Sequence, residues 1–111
     1  MTDKNKLEQQ YDRIRQEAID NNEPTAIVLA ENRIWGETQL TVASFSIRDF
    51  VEQQGAEETV RLANDEARSW GKPVWVVDLV GRDFVSEPDA FELAWQAREC
   101  YHKSRMEEVE L

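Results

Sequence analysis

One carboxylate of the sequence stands where an enzyme or a ligand-binding protein would need it. Asp78 follows the apolar run 75–77, and a carboxylate in apolar surroundings can serve as a general acid or base. Ligands of open α/β sheets bind at the carboxyl ends of strands, so Arg82 and Asp83 are predicted to complete a ligand-binding site there. In the alternative interpretation, Asp78 caps a loop or pairs with Arg82.

Two further sets of side chains predict contacts with another macromolecule. Trp35 lies between two turn signals and beside Arg33, and exposed tryptophan and arginine side chains dominate the hot spots of interfaces. Near the end of the chain, Met106 and Val109 are isolated apolar residues among acidic ones. We expect this tail either to pack on another chain or to fray. The alternative for Trp35 is a place in the core, which is expected for the other three tryptophans.

Motifs for metal, nucleotide and nucleophilic chemistry are missing from the sequence. Cys100 and His102 are the only cysteine and the only histidine, and on a helix two residues two positions apart point about 200° apart. They cannot share a metal within one helix, and we expect Cys100 to be a small core residue. The sequence has no Gly-x-Ser-x-Gly turn and no glycine-rich phosphate loop. We therefore predict no catalytic residue, no metal and no cofactor, and we favour a non-enzymatic protein over an enzyme.

The charge restricts the partners that the protein can have. Its 23 acidic residues exceed its 13 lysines and arginines, giving a net charge of −10. Such a charge repels nucleic acid and anionic lipid, and it speeds association with a basic protein. The alternative is that excess acid only keeps the protein soluble. With one cysteine and no long apolar run, we expect a cytoplasmic protein that binds neither nucleic acid nor membranes.

The predicted elements that position these residues are four or so helices and a few strands. Apolar runs at 25–30 and 38–45 predict a hairpin, or a three-stranded meander if the chain turns at both 31–32 and 36–37. The run 73–80 is apolar on both faces, which is typical of a central strand covered on both sides. The predicted helices cover residues 3–21, a short segment from 47, residues 56–70, and a final segment that begins near 86.

The length of 111 residues predicts a single domain over residues 1–111. Its fold class is α/β or α+β: a small mixed β-sheet of three to four strands, including a hairpin, with about four helices packed on it. The leading functional hypothesis is a non-enzymatic interaction protein that binds another macromolecule, such as a basic protein, through an acidic face. The same hypothesis includes a homodimer that forms through the final helix. The alternatives are a small enzyme or ligand-binding domain with its site at the end of strand 73–80, and an accessory subunit of a larger complex.

Overall fold

Seven elements make up the chain, and they form an α+β domain. The computed structural model describes residues 4–82 and 84–110, and for residues 106–110 the backbone alone. The number of strands, the hairpin and the four helices confirm the predicted fold class, but the three strands form an antiparallel sheet and not the mixed sheet that the sequence predicts. In chain order the elements are α1 (Lys4–Asp20), β1 (Thr25–Ile34), β2 (Glu37–Ser46), α2 (Arg48–Gln54), α3 (Ala56–Arg68), β3 (Val74–Val80) and α4 (Ala90–Glu110).

The central strand of the sheet is β1, and β3 lies at an edge. The strand order is β2-β1-β3, and β1 pairs antiparallel with both neighbours. The prediction that residues 73–80 form the central strand is therefore wrong. Helices α3 and α4 both pack against β3, which accounts for its apolar composition. An apolar run reports that both faces of a strand are covered, but it does not report that both edges are paired.

Two apolar clusters separate the helices into layers on opposite faces of the sheet. On one face, Ile27 and Leu29 of β1 pack with residues of α1 and α4, among them Tyr11. On the other face, Ala26 of β1 packs with Ala63 of α3 and with residues of α2. Strand β1 is thus buried between two helical layers, and its side chains from residue 26 to residue 29 are fully inaccessible to solvent.

Small side chains let α3 approach the sheet closely. Its buried positions are Thr59, Ala63 and Ala67, at spacings of four residues, which place them along one face of the helix. Glu57 lies in its first turn and Arg68 in its last, as the helix dipole favours. The predicted helix over 56–70 is therefore present, and it ends two residues early.

The last helix is the longest, at 21 residues or about 31 Å. Its buried face carries Ala90, Phe91 and Ala94. Cys100 is exposed, so the expectation that it lies in the core is wrong. It follows Phe91 by nine positions, which is a rotation of about 180° around a helix. Within residues 4–82 and 84–110, no helix is both long and apolar enough to cross a lipid bilayer.

Candidate interaction surface

The tip of the β1–β2 hairpin is a two-residue turn formed by Trp35 and Gly36. Ile34 pairs with Glu37 across the turn, and Trp35 and Gly36 have φ angles of 55° and 81°. Two central residues with positive φ define the type I′ turn, which favours Asn, Asp or Gly at its first position. A bulky side chain in this left-handed region costs about 1–2 kcal/mol. The requirements of the turn therefore do not explain a tryptophan at position 35.

The side chain of Trp35 projects into solvent. It is 97% exposed, and the neighbouring Ile34 is also exposed. The other three tryptophans are partly buried, and each has an aromatic neighbour: Phe45 for Trp70, Tyr101 for Trp75 and Phe91 for Trp95. Trp35 thus differs from the rest of the aromatic residues in having no packing role.

Beneath the hairpin tip lies a cleft of about 390 Å³. Its walls come from the ends of β1 and β2, from the loop between α3 and β3, and from the second half of α4. Arg33, Lys72 and Arg105 each contribute a cationic side chain to the lining. Arg33, which the sequence predicts as an interaction residue together with Trp35, therefore connects the tip to the cleft.

A buried carboxylate, Glu31, forms one wall of this cleft. It is 7% exposed and accepts hydrogen bonds from Arg98 Nε at 2.6 Å and from His102 Nε2 at 2.5 Å. The only histidine of the chain thus holds α4 on the sheet. Glu31 is absent from the predicted site residues, because the consecutive residues Glu31 and Asn32 suggest a turn in the sequence. The signal that could have identified it is the alternation Ile27, Leu29, Glu31, which puts all three on one face of a strand.

Asp78 connects three parts of the fold. It is 6% exposed, and its carboxylate accepts hydrogen bonds from Tyr11 Oη at 2.8 Å and from Ser86 Oγ at 2.5 Å. The backbone N–H groups of Leu79 and Glu87 donate to the same carboxylate, at 3.0 and 3.5 Å. Through these hydrogen bonds, Asp78 ties α1 and the loop before α4 to strand β3. The buried position of Tyr11 raises the pKa of its hydroxyl to about 12.

These contacts do not bring Asp78 and Arg82 of the predicted ligand-binding site together. Arg82 pairs with Glu52 of α2 at 3.5 Å, whereas Asp78 contacts Tyr11 of α1, on the opposite face of the sheet. Asp83 lies outside the described residues. A depression of about 340 Å³ opens beside Asp78, and a ligand-binding role for this depression stays a prediction.

The second predicted interaction set lies in the last two turns of α4. Met106 and Val109 belong to the helix that runs to Glu110, but their side chains are outside the description. The prediction that they contact a second copy of the chain therefore stays a prediction.

Strand β3 leaves one edge of the sheet unpaired, beside a groove between α3 and α4 of about 420 Å³. The N–H of Glu31 donates to the carbonyl of Pro73 at 3.0 Å. Hydrogen-bonded and non-bonded pairs alternate along an antiparallel ladder, so Val74 and Val76 turn their backbone N–H groups away from β1. Arg68 and Glu87 line the groove, and charges of this kind protect free edges from pairing with other strands.

The fold and these surfaces define the class of the protein: an α+β domain that exposes a tryptophan at the tip of a hairpin. A comparison with models of protein families, with curated proteins and with solved structures finds no match for this chain. A functional proposal therefore has to rest on the protein's own surfaces.

Proposed function

We propose that this protein is a non-enzymatic binding protein that docks on another protein through its β1–β2 hairpin, with Trp35 as the anchor. The observation that carries the proposal is the 97% exposure of Trp35 at a backbone position that disfavours it. A tryptophan buries about 150–250 Å² when it is covered, and it is enriched among hot-spot residues. A role in filling a pocket of a partner explains why a tryptophan occupies this strained backbone position.

The surroundings of Trp35 support a preorganised binding element. Strands β1 and β2 pair over their whole length, from Thr25↔Ser46 to Ile34↔Glu37, so the tip is held by a continuous ladder. Exposed Ile34 directly precedes the tryptophan, and its side chain can add an apolar contact at the rim. A rigid element pays less ordering entropy on binding than a flexible loop does.

The charge of the whole chain supports a basic partner, which the long-range field attracts before Trp35 makes the close contact. A net charge of −10 accelerates the encounter with a positively charged protein more than it raises the affinity. The same charge argues against nucleic acid and anionic membranes as partners. The single cysteine is consistent with a cytoplasmic setting.

The test is the substitution Trp35→Asn. Asparagine favours this turn position, so we expect the free energy of unfolding to rise by about 1 kcal/mol. We expect the affinity for the partner to fall by about 30-fold or more, as for a hot-spot residue of at least 2 kcal/mol. The partner is first recovered from native cells with the wild-type protein, and the dissociation constant is then measured with the purified partner.

A matched control removes another exposed apolar side chain at the opposite end of the sheet. Val85 is exposed and follows the carboxyl end of β3, far from the hairpin tip. We expect Val85→Asn to bind the partner as tightly as the wild-type protein. Unchanged binding by Trp35→Asn, or equal losses in both variants, would overturn the proposal.

A further inference from the structure

We propose that the cleft beneath the hairpin binds a small molecule that carries a multiply charged oxyanion group, such as a phosphate. This site is separate from the docking of a protein partner by Trp35. The cleft has a volume of about 390 Å³, which is within the range of small-molecule sites, about 300–1,000 Å³.

The first observation is the number of cations that face the cleft without an acidic partner. Arg33, Lys72 and Arg105 line it from three different elements. Among the described residues, none of the three forms an ion pair with a carboxylate. The acid in the cleft wall, Glu31, is already compensated by Arg98. The cleft is therefore locally positive in a protein whose net charge is −10.

The clustering of three such cations distinguishes the cleft from the rest of the surface, where Lys6, Arg13 and Lys103 also form no ion pair with a described carboxylate but do not line the cleft. Arg48, Arg61 and Arg82 each pair with a glutamate, as expected in a chain with almost two acidic residues for each basic one. Three cations that line one cleft and have no carboxylate partner among residues 4–82 and 84–105 repel one another there. They are explained if a bound anion takes the place of the missing carboxylates.

Neighbouring polar groups hold two of these cations in place. Lys72 Nζ donates to Asn32 Oδ1 at 2.6 Å. The guanidinium of Arg105 donates to Tyr101 Oη at 3.1 Å and lies 5.4 Å from the centre of the same ring. These contacts orient the side chains, and no carboxylate among the described side chains compensates their positive charges. An ammonium group and a planar guanidinium group are the donors that proteins use for phosphate.

The surrounding charge restricts the ligand to small molecules. A long polyanion such as RNA would extend beyond the cleft into the field of the acidic surface, which repels it. A small oxyanion lies within the locally positive region and meets Arg33, Lys72 and Arg105 together. The hydroxyl of Thr38, also in the lining, adds a neutral donor.

The experiment uses inorganic pyrophosphate as the probe and isothermal titration calorimetry of the full chain at low salt. We expect saturable binding to one site. The double variant Lys72→Gln with Arg105→Gln should weaken this binding by about tenfold or more, because two charge-assisted hydrogen bonds are lost. Both side chains are exposed, and an unchanged thermal unfolding curve verifies the fold.

The matched control is Lys6→Gln with Arg68→Gln, which removes the same two charges outside the cleft. We expect it to change the pyrophosphate affinity by less than about twofold, through the long-range field alone. The absence of saturable binding at millimolar pyrophosphate, or equal weakening by both double variants, would overturn the inference. Trp35→Asn should bind pyrophosphate normally, so a failure of this inference can be told apart from a failure of the proposed docking role.

Discussion

Two buried carboxylates in this protein are tolerated because donors from distant elements meet them. Glu31 pairs with Arg98 and accepts a hydrogen bond from His102 of α4, and Asp78 accepts hydrogen bonds from Tyr11 and from the loop before α4. A buried carboxylate without such donors would cost several kcal/mol. Both residues therefore act as connections between the sheet and its helical layers.

The role of Asp78 is tested by Asp78→Asn. An amide can accept fewer of the four hydrogen bonds, so we expect the free energy of unfolding to fall by about 1–3 kcal/mol. Urea denaturation measures this change, and Asp89→Asn on the exposed surface should stay within about 0.5 kcal/mol of the wild type. A variant of unchanged stability that loses a small-molecule ligand would instead favour the ligand-binding alternative.

Tyr11 makes the stability of the fold depend on pH in the alkaline range. Burial raises its pKa to about 12, above the value of 10.0 for an unperturbed tyrosine. Between these values the unfolded chain releases the proton while the folded chain retains it, so stability falls as pH rises from about 10 to 12. The contribution is about 2–3 kcal/mol and is complete below pH 10. Urea denaturation across this range should show the slope in the wild type and a smaller slope in Tyr11→Phe.

Glycine is required at positions 81 and 71 for two different physical reasons. Both have positive φ, but a Cβ at Gly81 would lie 2.2 Å from the carbonyl oxygen of Glu23, whereas a Cβ at Gly71 meets no atom within 4 Å. We expect Gly71→Ala to cost about 1–2 kcal/mol from backbone strain alone. Gly81→Ala should lower the free energy of unfolding by more than about 3 kcal/mol or prevent folding, because the added methyl group also clashes with the backbone of Glu23. Equal thermal stabilities of the two variants would contradict this reading.

At the scale of the elements, the sequence predicts whether a segment is a helix or a strand better than it predicts where that segment lies in the fold. The apolar spacing of α3 and the paired runs of the hairpin are local signals, and both elements are present. The place of β3 depends on which strands pair with it, and its apolar residues are equally suited to a centre or to an edge. Likewise, Cys100 lies on a helix whose exposed face can be known only from what packs against the other side. The contacts of Asp78 and Arg82 are equally hidden from the sequence, because these two residues are close along the chain yet contact helices on opposite faces of the sheet.

The edge position of β3 predicts an unequal response to proline. Val76 turns its N–H away from β1, so Val76→Pro removes no hydrogen bond of the sheet. Its partner Val28 lies in the central strand, where proline breaks the ladder with β2 and should cost about 3 kcal/mol or more. We expect Val76→Pro to remain folded, and Val28→Pro to unfold or lose most of its stability, as measured by circular dichroism. The opposite order would mean that β3 has a partner on its outer edge.

At the scale of the whole molecule, the charge distinguishes two kinds of association by their salt dependence. Two copies with a net charge of −10 repel each other, so a homodimer should become tighter as salt screens the repulsion. Binding to a basic partner should slow with added salt, because electrostatic steering is lost. Association rates at two ionic strengths measure both effects.

The homodimer that the sequence predicts is tested by the mass in solution. If Met106 and Val109 hold two copies together, the full chain should be a dimer, and removal of residues 103–111 should give a monomer. Sedimentation at physiological salt distinguishes the two masses. A monomer in both cases would exclude a dimer formed through α4.

The exposed indole of Trp35 allows fluorescence spectroscopy to monitor the hairpin tip. Because the other three tryptophans are shielded by ring neighbours, a dissolved quencher such as iodide should reach Trp35 first and remove the most red-shifted part of the emission. A partner that covers the tip would protect this emission. The unlabelled protein therefore carries its own reporter of when and where it is bound.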